Sequence, residues 1–174
     1  MAVDIFATFV ASRPNIAIGE TTLDPRSKGI VIQSISLGVE NQVNIGSATG
    51  GAGVGKATFN PLLITKVADA SSPLFALALF SGTHYDTVTF DFFTSGSGGA
   101  QQKPSPIYSI ACKMVAVSKI ELSTSQSDDV ITEEITLQYG AIQIRTKPMN
   151  KDGTLGKEVM TQWSKVKNNN TFDV

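Results

Sequence analysis

Thr87-Val-Thr-Phe-Asp-Phe-Phe93 sets Val88, Phe90 and Phe92 against Thr87, Thr89 and Asp91. Successive side chains of an extended chain point to opposite faces, so this alternation reads as a strand with one buried and one polar face. The same period of two recurs on both sides of it. Ile30 to Val39 places Val31, Ile35, Leu37 and Val39 on one face, with Ser34, Ser36 and Gly38 on the other. Tyr108 to Leu122 carries Tyr108, Ile110, Cys112, Met114, Ala116, Ile120 and Leu122 on one face. From Ile131 to Arg145 the apolar positions move from odd (Ile135, Leu137, Tyr139) to even (Ile142, Ile144) across Gly140, which predicts one long strand bent by a β-bulge at that glycine. Met1-Ala-Val-Asp-Ile-Phe-Ala-Thr-Phe-Val10 reads as a further strand.

One segment departs from this pattern. Ser71-Ser-Pro-Leu-Phe-Ala-Leu-Ala-Leu-Phe-Ser-Gly82 offers Ser72 as N-cap, Pro73 at the first helical position and Gly82 as the stop, which predicts a short helix over about residues 72–81. It is apolar nearly all round and is expected to be largely covered. Many strands and a single helix give a mainly β fold: a closed or sandwiched antiparallel sheet with the helix against one side or opening. No internal repeat or composition shift interrupts the chain, so residues 1–174 read as a single domain.

Composition excludes several functions. The 174 residues carry 14 Lys+Arg and 15 Asp+Glu for a net charge of -1, and only 17% are charged. A nucleic-acid binder needs a basic stripe to neutralise phosphates, and Arg145, Lys147, Lys151, Lys157, Lys165 and Lys167 are instead spread out with Asp152 and Glu158 among them. Weak charge leaves little self-repulsion between copies. Cys112 and His84 are the sole residues of their kinds, so neither an internal disulfide nor a Cys/His zinc site is expected. No apolar run approaches the roughly 18 residues of a membrane helix. Asp4 stands where a signal peptide needs positive charge, so neither membrane insertion nor a cleaved secretory signal is expected.

Gly50-Gly-Ala-Gly-Val-Gly55-Lys56-Ala57 matches a phosphate-binding loop except at its last position, where Ala57 replaces the hydroxyl that would hold magnesium. Such a loop must open a helix, and Thr58-Phe-Asn-Pro61 is a poor helix start, so the stretch reads as a glycine-rich connection. His84 is placed to close the C-terminus of the helix. Asp128-Asp129 and Glu133-Glu134 are adjacent carboxylates that point to opposite faces of a strand, as a turn and a solvated edge would have them. No catalytic, cofactor-binding or metal-binding residue is expected.

The ordered segments resemble the hemolysin-coregulated proteins (Hcp), the tube-forming proteins of the type VI secretion system. The resemblance rests on Met1-Ala-Val-Asp-Ile-Phe6, on the Gly-rich loop followed by Leu63-Ile-Thr-Lys-Val-Ala-Asp-Ala-Ser-Ser-Pro-Leu74, and on Ser81-Gly-Thr-His-Tyr85. Thr132 to Pro148 and Lys151-Asp-Gly-Thr-Leu-Gly156 before Trp163 follow in the same order. The resemblance implies a compact β-barrel of two sheets with one flanking helix. It further implies hexameric rings that stack into a hollow tube, driven out by a contractile sheath behind a spike and carrying effector proteins in the lumen. Such a protein assembles in the bacterial cytoplasm and leaves the cell without a cleaved signal. Within that picture the loop containing Gly46, Gly50, Gly51, Gly53, Gly55 and Lys56 is the expected ring-to-ring contact. The alternatives are a tail-tube protein of a phage-like particle, a monomeric β-barrel binding module, and a degenerate nucleotide-binding enzyme.

Overall fold

The computed structural model describes residues 3–11, 29–41, 43–44, 53–94, 105–125, 129–151 and 154–174. Strands β1 (Val3–Val10), β2 (Ile30–Ile32) and β3 (Ser34–Ser36) are followed by four two-residue pieces, β4 (Val39–Glu40), β5 (Val43–Asn44), β6 (Gly53–Val54) and β7 (Thr58–Phe59). Then come β8 (Leu62–Val67), helix α1 (Ser72–Ser81), and strands β9 (His84–Thr94), β10 (Tyr108–Ser123), β11 (Thr132–Thr146) and β12 (Val159–Ser164). The fold is mainly β with one short helix, as the period of two predicts.

The main sheet has the order β2-β1-β9-β10-β11-β8-β3, every neighbour antiparallel, with β12 beside the second half of β11. Its two ends are consecutive pieces of chain separated only by Gln33, whose N–H donates to the Thr65 carbonyl at 2.8 Å. The segment 30–36 therefore pairs β1 with its first half and β8 with its second, and the sheet closes on itself as a barrel. This explains a departure from the sequence reading. Ile30 and Ile32 are buried while Val31 is exposed, whereas beyond Gln33 it is Ile35 and Leu37 that pack on the core. The chain changes face at Gln33 because it passes there from one side of the seam to the other.

A second change of face runs across three strands at one level. Core residues are Val88 and Phe90 but then Tyr85 on β9, Ile110 and Cys112 but then Val115 and Val117 on β10, and Ile135, Leu137 and Tyr139 but then Ile142 on β11. Lys113 pairs Thr87 and Ala141, and Val115 pairs Tyr85 and Tyr139, so Asp86, Met114 and Gly140 form the row where all three strands turn. Met114 takes φ 51°, which is uncommon for a residue with a side chain. A Cβ on Gly140 would lie 2.6 Å from Val174 Cγ1, so only glycine lets that side chain settle on the strand. The bulge expected at Gly140 is thus not a bulge: nothing is inserted there. The register shift lies on β10 between Val117 and Lys119, at Ser118, whose hydroxyl donates to the Thr136 carbonyl at 3.1 Å. Met114 and Leu122, expected on the apolar face, are exposed.

Inside the barrel, Phe75 from α1 meets Phe9 edge-to-face at 4.9 Å, and Phe9 meets Tyr85 at 5.0 Å and Phe90 at 6.3 Å. Each such pair adds about 0.5–1.5 kcal/mol beyond the area it buries. The helix is fixed over the barrel by this aromatic contact.

Candidate assembly surfaces

Beyond the barrel, β3 and β8 continue as a long hairpin arm. Its rungs are Ser36↔Leu63, then Val39↔Phe59 and Glu40↔Thr58, then Val43↔Val54 and Asn44↔Gly53. In each interval the returning strand carries one residue more than the outgoing one, which bends the arm and tightens its twist. Gly53 is a ladder residue, and Gly55 and Lys56 are exposed in the second interval, on the side of the arm. Of the expected contact loop, Gly46, Gly50 and Gly51 lie outside the described residues. Lys56 leads into β7, not into a helix, so the phosphate-loop geometry is missing.

The arm, β11 and β12 enclose a groove of about 770 Å³ whose wall includes Val39, Phe59, Ile142, Ile144 and Trp163, with Lys56 at its edge. Beside it Lys165 places its ammonium 4.4 Å from the centre of the Tyr139 ring and 5.9 Å from that of Phe59, and its pKa is lowered by burial. The Tyr139 hydroxyl donates to the Asn60 carbonyl at 3.2 Å, which ties the base of the arm to β11.

At the other end of β8 lies a buried charged cluster that sequence reasoning missed. Lys66 has no exposed surface, and its ammonium meets Asp69 Oδ1 at 2.9 Å and Glu133 Oε2 at 3.0 Å and donates to Ser72 Oγ at 3.1 Å. Ser72 Oγ in turn donates to Glu133 at 2.7 Å and accepts the Asp69 N–H. Ser72 is therefore not the N-cap. That position falls to Ser71, whose carbonyl accepts from Leu74 and Phe75 while its hydroxyl donates to Asp69 instead of capping. Glu133, expected on a solvated edge, is buried as the partner of Lys66. The signal was present: Lys66 shares its parity with Leu62 and Ile64, the core side of β8.

At the helix exit, Gly82 adopts φ 63°, and the N–H groups of Gly82 and Thr83 donate to the carbonyls of Leu79 and Ala78. The backbone closes the helix, and His84 is the exposed first residue of β9 with no part in it. Nor is the helix largely covered. It buries Phe75 and Ala78, but Leu77 is 42% and Phe80 82% exposed. Cys112 is buried on the core face, and burial pushes its thiol up to about 12, with the Lys165 cation pulling weakly the other way. A thiol held this way is no nucleophile. Among the described residues, Lys66, Asp69, Ser72 and Glu133 are gathered together but are spent on one another, while His84 and Cys112 stand apart from them and the other gathered features are surfaces.

A family model described as "Type VI secretion system effector, Hcp" matches residues 9–145. The chain belongs to the Hcp family. Protein hcp1 of Pseudomonas aeruginosa is 32% identical over 98 residues, 56% of this chain and 58% of that protein, so the chain spans little more than half the length of this relative. Among solved structures, one described as a type six secretion system protein has a TM-score of 0.86 at 24% identity, over 98% of this chain and all of that one (100%). Hcp1 from Salmonella typhimurium has a TM-score of 0.77 at 16% identity, over 98% and 100% of the two chains. The Hcp barrel and helix are therefore shared along nearly the whole chain, while few of the side chains are.

Proposed function

We propose that this protein is a structural subunit of a type VI secretion tube. Residues 1–174 act as one domain, copies close into hexameric rings, and the rings stack into a hollow tube expelled by a contractile sheath. The observation that carries this reading is the family match over residues 9–145. The arm, the uncovered helix face and the weak charge of -1 support it, since each favours contact between copies over solvation. No bond is made or broken by the subunit. Its partners are other copies of itself, a spike and a sheath, with effector proteins carried in the lumen. It assembles in the cytoplasm and is expelled from the cell with the tube.

Native mass measurement and negative-stain imaging of the purified protein test this. Rings of several copies are expected, and a clean monomer at high concentration would overturn it. Within the same reading, the loop carrying Gly46, Gly50, Gly51, Gly53, Gly55 and Lys56 forms the ring-to-ring contact. Deleting Gly46 to Lys56 is expected to leave a folded protein that stacks poorly, whereas unchanged tube formation would sink that assignment.

A further inference from the structure

Phe80 and Leu77, one helical turn apart, form an apolar knob that nothing in the described chain covers. The knob sits in the last turn of α1, which carries no basic residue, so the partial negative charge of the helix C-terminus is unopposed by any side chain of that turn. The groove between the arm and β12 is its complement in two respects. Its volume of about 770 Å³ far exceeds the roughly 30 Å³ share of one water, so it has room for side chains. Its wall is apolar at Phe59, Ile144 and Trp163, and its edge bears the exposed cation Lys56.

Knob and groove do not meet within one molecule, since Phe80 is 82% exposed. The helix exit at Gly82 and the groove wall at Phe59 nonetheless lie toward the same end of the barrel, both beside Lys165. Two different, complementary patches on one chain make a heterologous contact, the kind that closes rings or extends filaments. We infer that Phe80 and Leu77 of one copy seat in the Phe59–Ile144–Trp163 groove of the next, with Lys56 facing the carbonyl end of the inserted helix. This deepens the tube reading and rests on it.

Coexpression of Phe80→Cys and Thr161→Cys chains tests the pairing directly. Thr161 lines the groove and is exposed, and Cys112 is too buried to compete. Oxidation is expected to give disulfide-linked dimers when both variants are present and none with either alone. Separately, Phe80→Asp is expected to remain folded by circular dichroism, since the side chain is 82% exposed, and to raise the concentration needed for assembly by about tenfold or more. If the wild-type protein forms rings but the mixed variants do not crosslink and Phe80→Asp assembles normally, the pairing is wrong and the tube reading stands. A monomeric wild-type protein would remove both.

Discussion

Lys66 is a cation with no exposed surface, held by Asp69, Glu133 and Ser72 at the point where β8, the helix start and β11 meet. Removing one member of a buried ion pair strands the other charge, at a typical loss of about 3–5 kcal/mol. Lys66→Met is therefore expected to lower the unfolding free energy obtained from urea titration by about 3–5 kcal/mol. Lys66→Met combined with Glu133→Leu should recover a large part of the loss, because the second carboxylate no longer lies unpaired. Asp69 sets the acid limit of this site. Burial raises its pKa, but hydrogen bonds from Ser71 and Lys66 and the attraction of the Lys66 cation outweigh that, and the carboxyl is held below its ordinary value. The unfolded chain then takes up the proton first. The contribution of Asp69 is complete above the usual carboxylate range near about 4 and is lost as pH falls through the lower folded value. Asp69→Asn should flatten the acid limb of a stability profile measured by urea unfolding. Parity in the sequence put Lys66 on the core side, but its two carboxylates come from a neighbouring turn and from Glu133 on a distant strand. A contact set by cross-strand register, Glu133 opposite Lys66, has no local signature.

Helix α1 was legible because its signals are local: Pro73 near the start, an apolar run, and Gly82 beyond the end. Gly82→Ala would force a Cβ into the left-handed region, although nothing stands within 4 Å of that Cβ, so the cost is conformational alone. A loss of about 1–2 kcal/mol is expected in thermal or urea unfolding. The exposed face of the helix was not legible, since a sequence apolar all round does not say which side finds a partner in the same chain. The strands show the same limit. Their period of two is visible in isolation, whereas the changes of face at Gln33 and along the row of Asp86, Met114 and Gly140 arise where strands turn together around the barrel. A lone parity break at Gly140 looks like an insertion until its neighbours are seen to turn at the same level.

For the molecule as a whole, closure depends on segment 30–36 joining β1 to β8, two strands more than fifty residues apart in sequence. The fold class was evident from composition and period, yet this seam was not, because it is a pairing of distant strands. Weak charge has a consequence for assembly. A ring of copies each carrying -1 gathers little repulsion, so its formation should change only slightly between low and high salt, read as oligomer mass by light scattering. Strong dissociation at high salt would instead point to a charge-steered interface.

The arm grows directly out of the two strands at the seam, and this fixes how the molecule bears load. A pull on the arm along its length draws β3 and β8 lengthwise. β8 is bonded to β11 from Thr132↔Val67 to Leu137↔Leu62, and interstrand bonds lie across the strands, so such a pull strains that whole row at once. Peeling, in which one rung breaks at a time, would need a sideways force on the tip. A stack of such subunits pushed or drawn along its axis would thus meet shear resistance at every joint made through the arm, and weakness only against bending.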